Sequence, residues 1–151
     1  MDEAPVQSET PLDLAAPVSR RVQLDAVFLA GCRAMRSPDQ FPEGEHVTLN
    51  NKIVNLEVGL VEDSDKFFLK ILLSTEAVNN RKDTDNILFT IEATFILNYE
   101  VPSRQNFEDK NLHAFAATNG VFNVWPYWRE YVQSTTTRMG LPPITLPVFR
   151  V

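Results

Sequence analysis

Residues 86–100 read Asn86-Ile-Leu-Phe-Thr-Ile-Glu-Ala-Thr-Phe-Ile-Leu-Asn-Tyr-Glu100. Ile87, Phe89, Ile91, Ala93, Phe95, Leu97 and Tyr99 recur at every second position, with Leu88, Thr90, Glu92, Thr94, Ile96 and Asn98 between them. Sustained period-two recurrence marks a β-strand with one buried face, because successive side chains point to opposite sides of the pleat. A third strand precedes it, with Phe67, Leu69, Ile71 and Leu73 on one face and Phe68, Lys70, Leu72 and Ser74 on the other. The polar run Asn79-Asn-Arg-Lys-Asp-Thr-Asp85 is the hairpin loop joining the two.

Further upstream, a strand over about 47–62 turns through Asp63-Ser-Asp-Lys66 into the third. Its apolar phase runs Val47, Leu49, Ile53 and then Val54, Leu56, Val58, Leu60, a switch that predicts a bulge or bend near Ile53. The first strand spans about 22–30, where Val22, Leu24, Ala26 and Phe28 alternate with Gln23, Asp25, Val27 and Leu29. The turn-rich segment Arg36-Ser-Pro-Asp-Gln-Phe-Pro-Glu-Gly-Glu45 is a crossing loop whose one large apolar residue is Phe41. Short connections between strands imply an antiparallel meander with one face that needs cover.

The cover must come from the remainder. Ser103 is a helix cap before a helical stretch over 105–118, and Asn119-Gly120 interrupts it. Val121, Trp125, Trp128, Val132, Thr135 and Met139 then recur at helical spacing, with Pro126 expected to kink the helix and Gly140 to stop it. Leu141-Pro-Pro-Ile-Thr-Leu-Pro-Val-Phe149 continues as an extended apolar tail. The predicted fold class is α+β: a four-stranded antiparallel meander followed by one long broken helix. Residues 1–19 carry Pro5, Pro11 and Pro17 among small and acidic residues and read as a flexible acidic leader before a single domain over 20–151.

At 151 residues the chain is long enough for one self-sufficient core. Its net charge is −6, and residues 1–19 hold four acids with no Lys or Arg. An acidic chain without a basic stripe lacks the footprint of nucleic-acid binding. One cysteine, Cys32, excludes an intramolecular disulfide framework. No apolar run approaches 18 residues, and the acidic start Met1-Asp2-Glu3 does not resemble a secretory signal, so the expectation is a cytoplasmic chain without membrane insertion.

Little in the sequence points to catalysis. His46 and His113 lie far apart, neither forms a ligand cluster with Cys32, and no phosphate-cradling or nucleophile-elbow glycine motif occurs. Glu57 and Glu92 read as polar strand-face residues rather than as a carboxylate pair. The expectation is no enzyme, no metal and no cofactor. The tail is the anomaly: Leu141, Ile144, Leu146, Val148 and Phe149 are crowded together where Pro142, Pro143 and Pro147 forbid a helix. Either they pack on the domain's own sheet, or with Phe41 they line an apolar groove that receives polypeptide. A small-ligand or hydrolase α+β domain and a structural adaptor are the readings from other classes.

The run Trp125-Pro-Tyr-Trp-Arg-Glu130, followed by Val132, Ser134, Arg138, Gly140, Pro142 and Leu146-Pro-Val148, resembles the long-helix signature of the SecB export chaperones. The order of strands and helix over 20–149 is similar as well. The resemblance implies an ATP-independent holdase that binds unfolded, export-bound polypeptides and assembles as a homotetramer, a dimer of dimers. It implies client contacts at Phe41, at Val47 and Leu49, and along Leu141, Ile144, Leu146, Val148 and Phe149. It also implies docking of the SecA translocase motor on an outer sheet face, where Asp25 and Glu92 match and Leu29 and Thr90 depart. The family's second helix has no counterpart in the residues up to Val151. Solitary SecB-like chaperones serve labile antitoxins of toxin–antitoxin systems, which makes an antitoxin the alternative partner.

Overall fold

The computed structural model describes residues 8–38, 47–61, 64–80, 86–101 and 107–150. Phe41, His46, Ser103 and most of the hairpin loop over 81–85 therefore lie outside the described residues. Four strands form one antiparallel sheet: β1 (Gln23–Arg36), β2 (Val47–Leu60), β3 (Lys66–Asn79) and β4 (Asn86–Glu100). Their order across the sheet is β1-β4-β3-β2. Only β2, β3 and β4 follow one another as a meander. The first strand takes the far edge beside β4, so the end of β1 at Arg36 and the start of β2 at Val47 lie about three strand spacings apart, ~14 Å.

The switch of apolar phase in β2 is a bulge, as expected. Ile53 pairs with Leu73 and Asn55 with Leu72, leaving Val54 as the extra residue. In β1 the simple alternation fails twice, because Asp25 and Ala30 are each unpaired extra residues against β4. Leu24, Val27, Leu29 and Cys32 consequently oppose Tyr99, Leu97, Phe95 and Ala93, whereas Ala26 and Phe28 oppose Asn98 and Ile96 on the other face. A bulge displaces phase by one residue, so Phe28 lands opposite to where strict alternation would put it.

Above the inner face lies one long helical run: α2 (Asp109–Phe115), a π-helical turn (Ala116–Gly120) and α3 (Val121–Arg138). Asn119-Gly120 does not break the helix. It widens it, and Thr118 Oγ1 donates to Ala114 O at 2.7 Å inside the widened turn. Gly120 is buried so close to the sheet that a Cβ there would meet Leu69 Cδ1 at 2.5 Å, closer than real carbons approach. The helix thereby drops Val121, Val124, Trp128 and Val132 onto a core made by Phe67, Leu69, Ile71 and Leu73 of β3 and Phe89, Ile91, Phe95 and Leu97 of β4. Tyr99 stacks on Phe67 at 5.1 Å between ring centroids and meets Phe115 edge-on at 5.1 Å. Gly140 ends α3 with φ +74°, and the Gly140 and Leu141 amides bond the carbonyls of Thr137 and Thr136, a Schellman closure.

The first helix is a correction. Residues 11–19 are not a flexible leader; α1 (Pro11–Ser19) docks against α2 with Ala15 and Val18 buried. Thr10 and Asp13 form a capping box, with Asp13 N–H donating to Thr10 Oγ1 and Thr10 N–H to Asp13 Oδ2. Pro11 occupies the first turn, where a missing N–H costs nothing. Asn111 Nδ2 then donates to Leu14 O at 2.8 Å, tying α1 to α2. Proline content argued against order, but the cap and the burial outweigh it.

Candidate functional site

An α-helix with its side chains is about 10–12 Å across, and strands stand about 4.8 Å apart. One helix therefore covers about two strands of this sheet. The pair it seals is β3 and β4, and the edge strands are covered only in part: Val27 of β1 and Leu56 and Val58 of β2 are half-buried against the core, while other inner-face positions of both strands stay open. On β2, Leu49 opposes Ala77, Ile53 opposes Leu73 and Leu60 opposes Phe67, so all three share the face that the helix covers further in. They are nonetheless 36%, 45% and 68% exposed. On β1, Leu24 and Leu29 are exposed on the same face. The result is an apolar margin on each side of the helix, and the Val54 bulge adds a further exposed apolar group to the β2 side.

The tail forms the second apolar element. Leu141 and Leu146 are buried in the domain's own core, which removes them from the surface set that the sequence suggested. They are anchors, drawn inward because the tail folds back along α3. Ile144 and Phe149 are half-buried, and Val148 is exposed. The Phe149 ring lies 5.4 Å from that of Trp125. Val47 is half-buried at the start of β2, next to exposed Leu49. These two belong to β2, whereas the tail is anchored on α3, so the single groove expected from the sequence rests on two scaffolds. Phe41 lies outside the described residues.

Ile53, Val54 and Leu60 were legible in the sequence as an apolar strand face. What the sequence lacked was any sign that the helix covers β2 only in part, half-burying Leu56 and Val58 and leaving Leu49, Ile53 and Leu60 exposed.

The two acidic positions do not make one patch. Asp25 is the exposed extra residue of the first β1 bulge, level with Asn98, and Glu92 lies six residues further along β4, about 20 Å away. Glu92 faces Arg33 directly across the β1–β4 pair, and Glu57 faces Lys70 across β2–β3. The outer face thus interleaves both signs. Phe68 lies on it too, its ring folded over Gly59, where a Cβ would collide with the ring at 2.0 Å.

Two phenols are perturbed. Burial pushes Tyr99 up to about 12, against a hydrogen bond donated by Asn123 Nδ2 at 2.9 Å. Burial, and then the neighbouring Cys32 thiol, also raise Tyr131. Among the described residues, no group of three or more His, Cys, Asp or Glu could hold a metal ion. No helix among them is long and apolar enough to cross a membrane.

A four-stranded antiparallel sheet followed by a long helix is the α+β fold seen in a SecB-like chaperone, and the chain resembles SecB-like chaperones in part of its sequence as well. Over 70 residues, 44% of this chain, the sequence is 36% identical to the SecB-like chaperone Rv1957 of Mycobacterium tuberculosis (strain ATCC 25618 / H37Rv). It matches equally the SecB-like chaperone MT2006 of strain CDC 1551 / Oshkosh. The matched stretch spans 39% of the length of these curated relatives. Among solved structures, that of Rv1957 in complex with a ChAD peptide from the Rv1956 HigA1 antitoxin superposes with a TM-score of 0.78. The superposition covers 91% of this chain and 97% of that one at 24% identity, which speaks to the fold. No protein-family model matches the chain.

Proposed function

We propose that this protein is an ATP-independent holdase that binds unfolded polypeptide on the open apolar margins of its sheet. The observation that carries the reading is the row Leu49, Ile53 and Leu60, apolar, on the core-facing side of β2, and left uncovered by the helix. A promiscuous chaperone needs apolar area without side-chain readout, and an edge strand offers that area together with unpaired backbone groups. Val47, Ile144, Val148, Phe149 and Phe41 extend the same contact set. On this reading the protein is a binding protein rather than an enzyme, uses no cofactor, works in the cytoplasm and assembles as a homotetramer.

The general-export reading is one form of this function. The likeness to a chaperone whose structure holds an antitoxin peptide favours a second, in which the client is an antitoxin. The interleaved charge around Glu92, and its distance from Asp25, weigh against a shared acidic docking patch for a SecA motor.

The test is suppression of aggregation of an unfolded client without nucleotide, with a general export substrate and an antitoxin compared side by side. Leu49→Ser combined with Val148→Ser, both at exposed positions, removes two apolar contacts. The expected loss is roughly 1–3 kcal/mol of client binding, about tenfold to a hundredfold in Kd. Light scattering is expected to give the same oligomer mass for the variant and the wild type. A folded variant that protects clients as well as wild type overturns the assignment.

A further inference from the structure

The main chain of the tail is held by one stripe of α3. The Trp125 indole N–H donates to Pro147 O at 2.7 Å, and Arg129 Nε–H donates to Leu146 O at 2.9 Å. Thr136 Oγ1 accepts from the Ile144 N–H at 3.2 Å. Positions 125, 129 and 136 are spaced by four and seven, which places them on one face of a helix. Where the tail begins, Arg36 of β1 donates from Nη1 to Met139 O at 2.9 Å.

All these bonds go to backbone atoms of the held segment. They fix where the tail runs and leave its side chains free for other work. With the carbonyls of Leu146 and Pro147 turned towards α3, Leu146 is buried and Val148 stands 63% exposed. The three prolines of the tail lack N–H groups, so the segment cannot build a regular ladder of its own. Its register depends on the α3 side chains and on the two buried leucines.

We infer that Trp125, Arg129 and Thr136 are positioning residues for polypeptide binding: they lock the tail on α3 so that exposed Val148 and the half-buried Ile144 and Phe149 form one apolar strip, and they do not themselves touch the client. Trp125 also sets the attitude of the Phe149 ring, which it meets at 42° between planes. A strip fixed before the client arrives loses less conformational freedom on binding than a loose one. This inference rests on the polypeptide-binding reading above.

The experiment uses the full chain and three substitutions. Arg129→Met keeps the stem and loses the donor, Arg129→Lys returns a donor, and Trp125→Phe keeps a ring and loses the N–H. Affinity for a fluorescently labelled unfolded client is measured together with amide hydrogen exchange over residues 144–150. Arg129→Met is expected to bind the client about tenfold more weakly, with faster exchange at Ile144 and an unchanged circular-dichroism spectrum. Arg129→Lys recovers most of the affinity. Phe149→Ala is expected to weaken binding in the wild type and to add little in the Arg129→Met background, because both act through the same strip.

If Arg129→Met proves unfolded, Trp125→Phe supports the same comparison. Wild-type affinity in a variant whose tail exchanges faster overturns the inference. So does a Phe149→Ala effect that is equal in both backgrounds. A wild-type protein that captures no client overturns the polypeptide-binding reading and this inference together, whereas normal capture by every variant overturns this inference alone.

Discussion

On β4 the side chains of Phe89, Ile91, Phe95 and Leu97 are sealed under the helix, whereas on β2 the matching row of Leu49, Ile53 and Leu60 faces solvent. The two strands carry comparable apolar alternation, and their inner faces belong to the same side of one sheet. What separates them is their place in the order β1-β4-β3-β2, since one helix of about 10–12 Å spans the middle pair and covers the edge strand only in part, at Leu56 and Val58. Apolar periodicity thus defines a face without stating whether the face is filled. Where it is filled it contributes stability, and where it is open it is available for binding.

The sharpest way to break that comparison is to remove one large side chain from each region. Trp128→Ala in the covered region is expected to cost about 3–5 kcal/mol, because Trp128 is fully buried and its loss leaves a cavity. Ile53→Ser on the open margin is expected to cost less than about 1 kcal/mol while weakening client capture. Urea unfolding of both variants measures the contrast, and similar losses at the two sites would erase it.

The covered region also has its own pH signature. Tyr99 titrates near 10 when unfolded and is pushed up to about 12 by burial in the fold. The folded state therefore favours the protonated phenol. That contribution is complete below about pH 10 and is lost as pH rises towards about 12, on the order of 2–3 kcal/mol. Tyr99→Phe keeps the ring stack on Phe67 and should flatten the fall in stability between those pH values. Denaturant titrations at several alkaline pH values read this directly.

The smallest effect belongs to the N-terminal helix. Thr10→Ala removes the cap of α1 and should cost about 1 kcal/mol, seen as faster exchange of the α1 amides while the sheet stays protected. The bonds from Thr10 hold the Asp13 carboxyl below its usual range, the backbone bond contributing most. Their stabilisation is present at neutral pH and is lost as pH falls through that lowered value; Thr10→Ala keeps the backbone donor, so it should retain most of the loosening on acidification.

Strands β2, β3 and β4 could be placed from alternation, and the bulge at Val54 from a break in phase, because each is a local pattern in a half-buried strand. Strand β1 was harder. Its bulge at Asp25 carries no glycine or proline mark, and it moved Phe28 and Leu29 to faces opposite from those that strict alternation gives. The π-helical turn at Ala116–Gly120 was visible only as an interruption, since Asn-Gly signals a turn unless the tight approach to Leu69 holds the helix together. Helix α1 was missed because its burial partners are nearly a hundred residues away on α2.

The sequence by itself determined the α+β class, the strand faces, the helix that covers them and the Gly140 stop, because these follow from side-chain period and from a backbone conformation that glycine tolerates. Tertiary structure alone decided which apolar residues remain outside. It buried Leu141 and Leu146, left Leu49, Ile53 and Val148 in solvent, and set Asp25 and Glu92 far apart. The physical reason is that exposure depends on the width of the covering helix and the order of strands beneath it, and neither is written in the local pattern of any one segment.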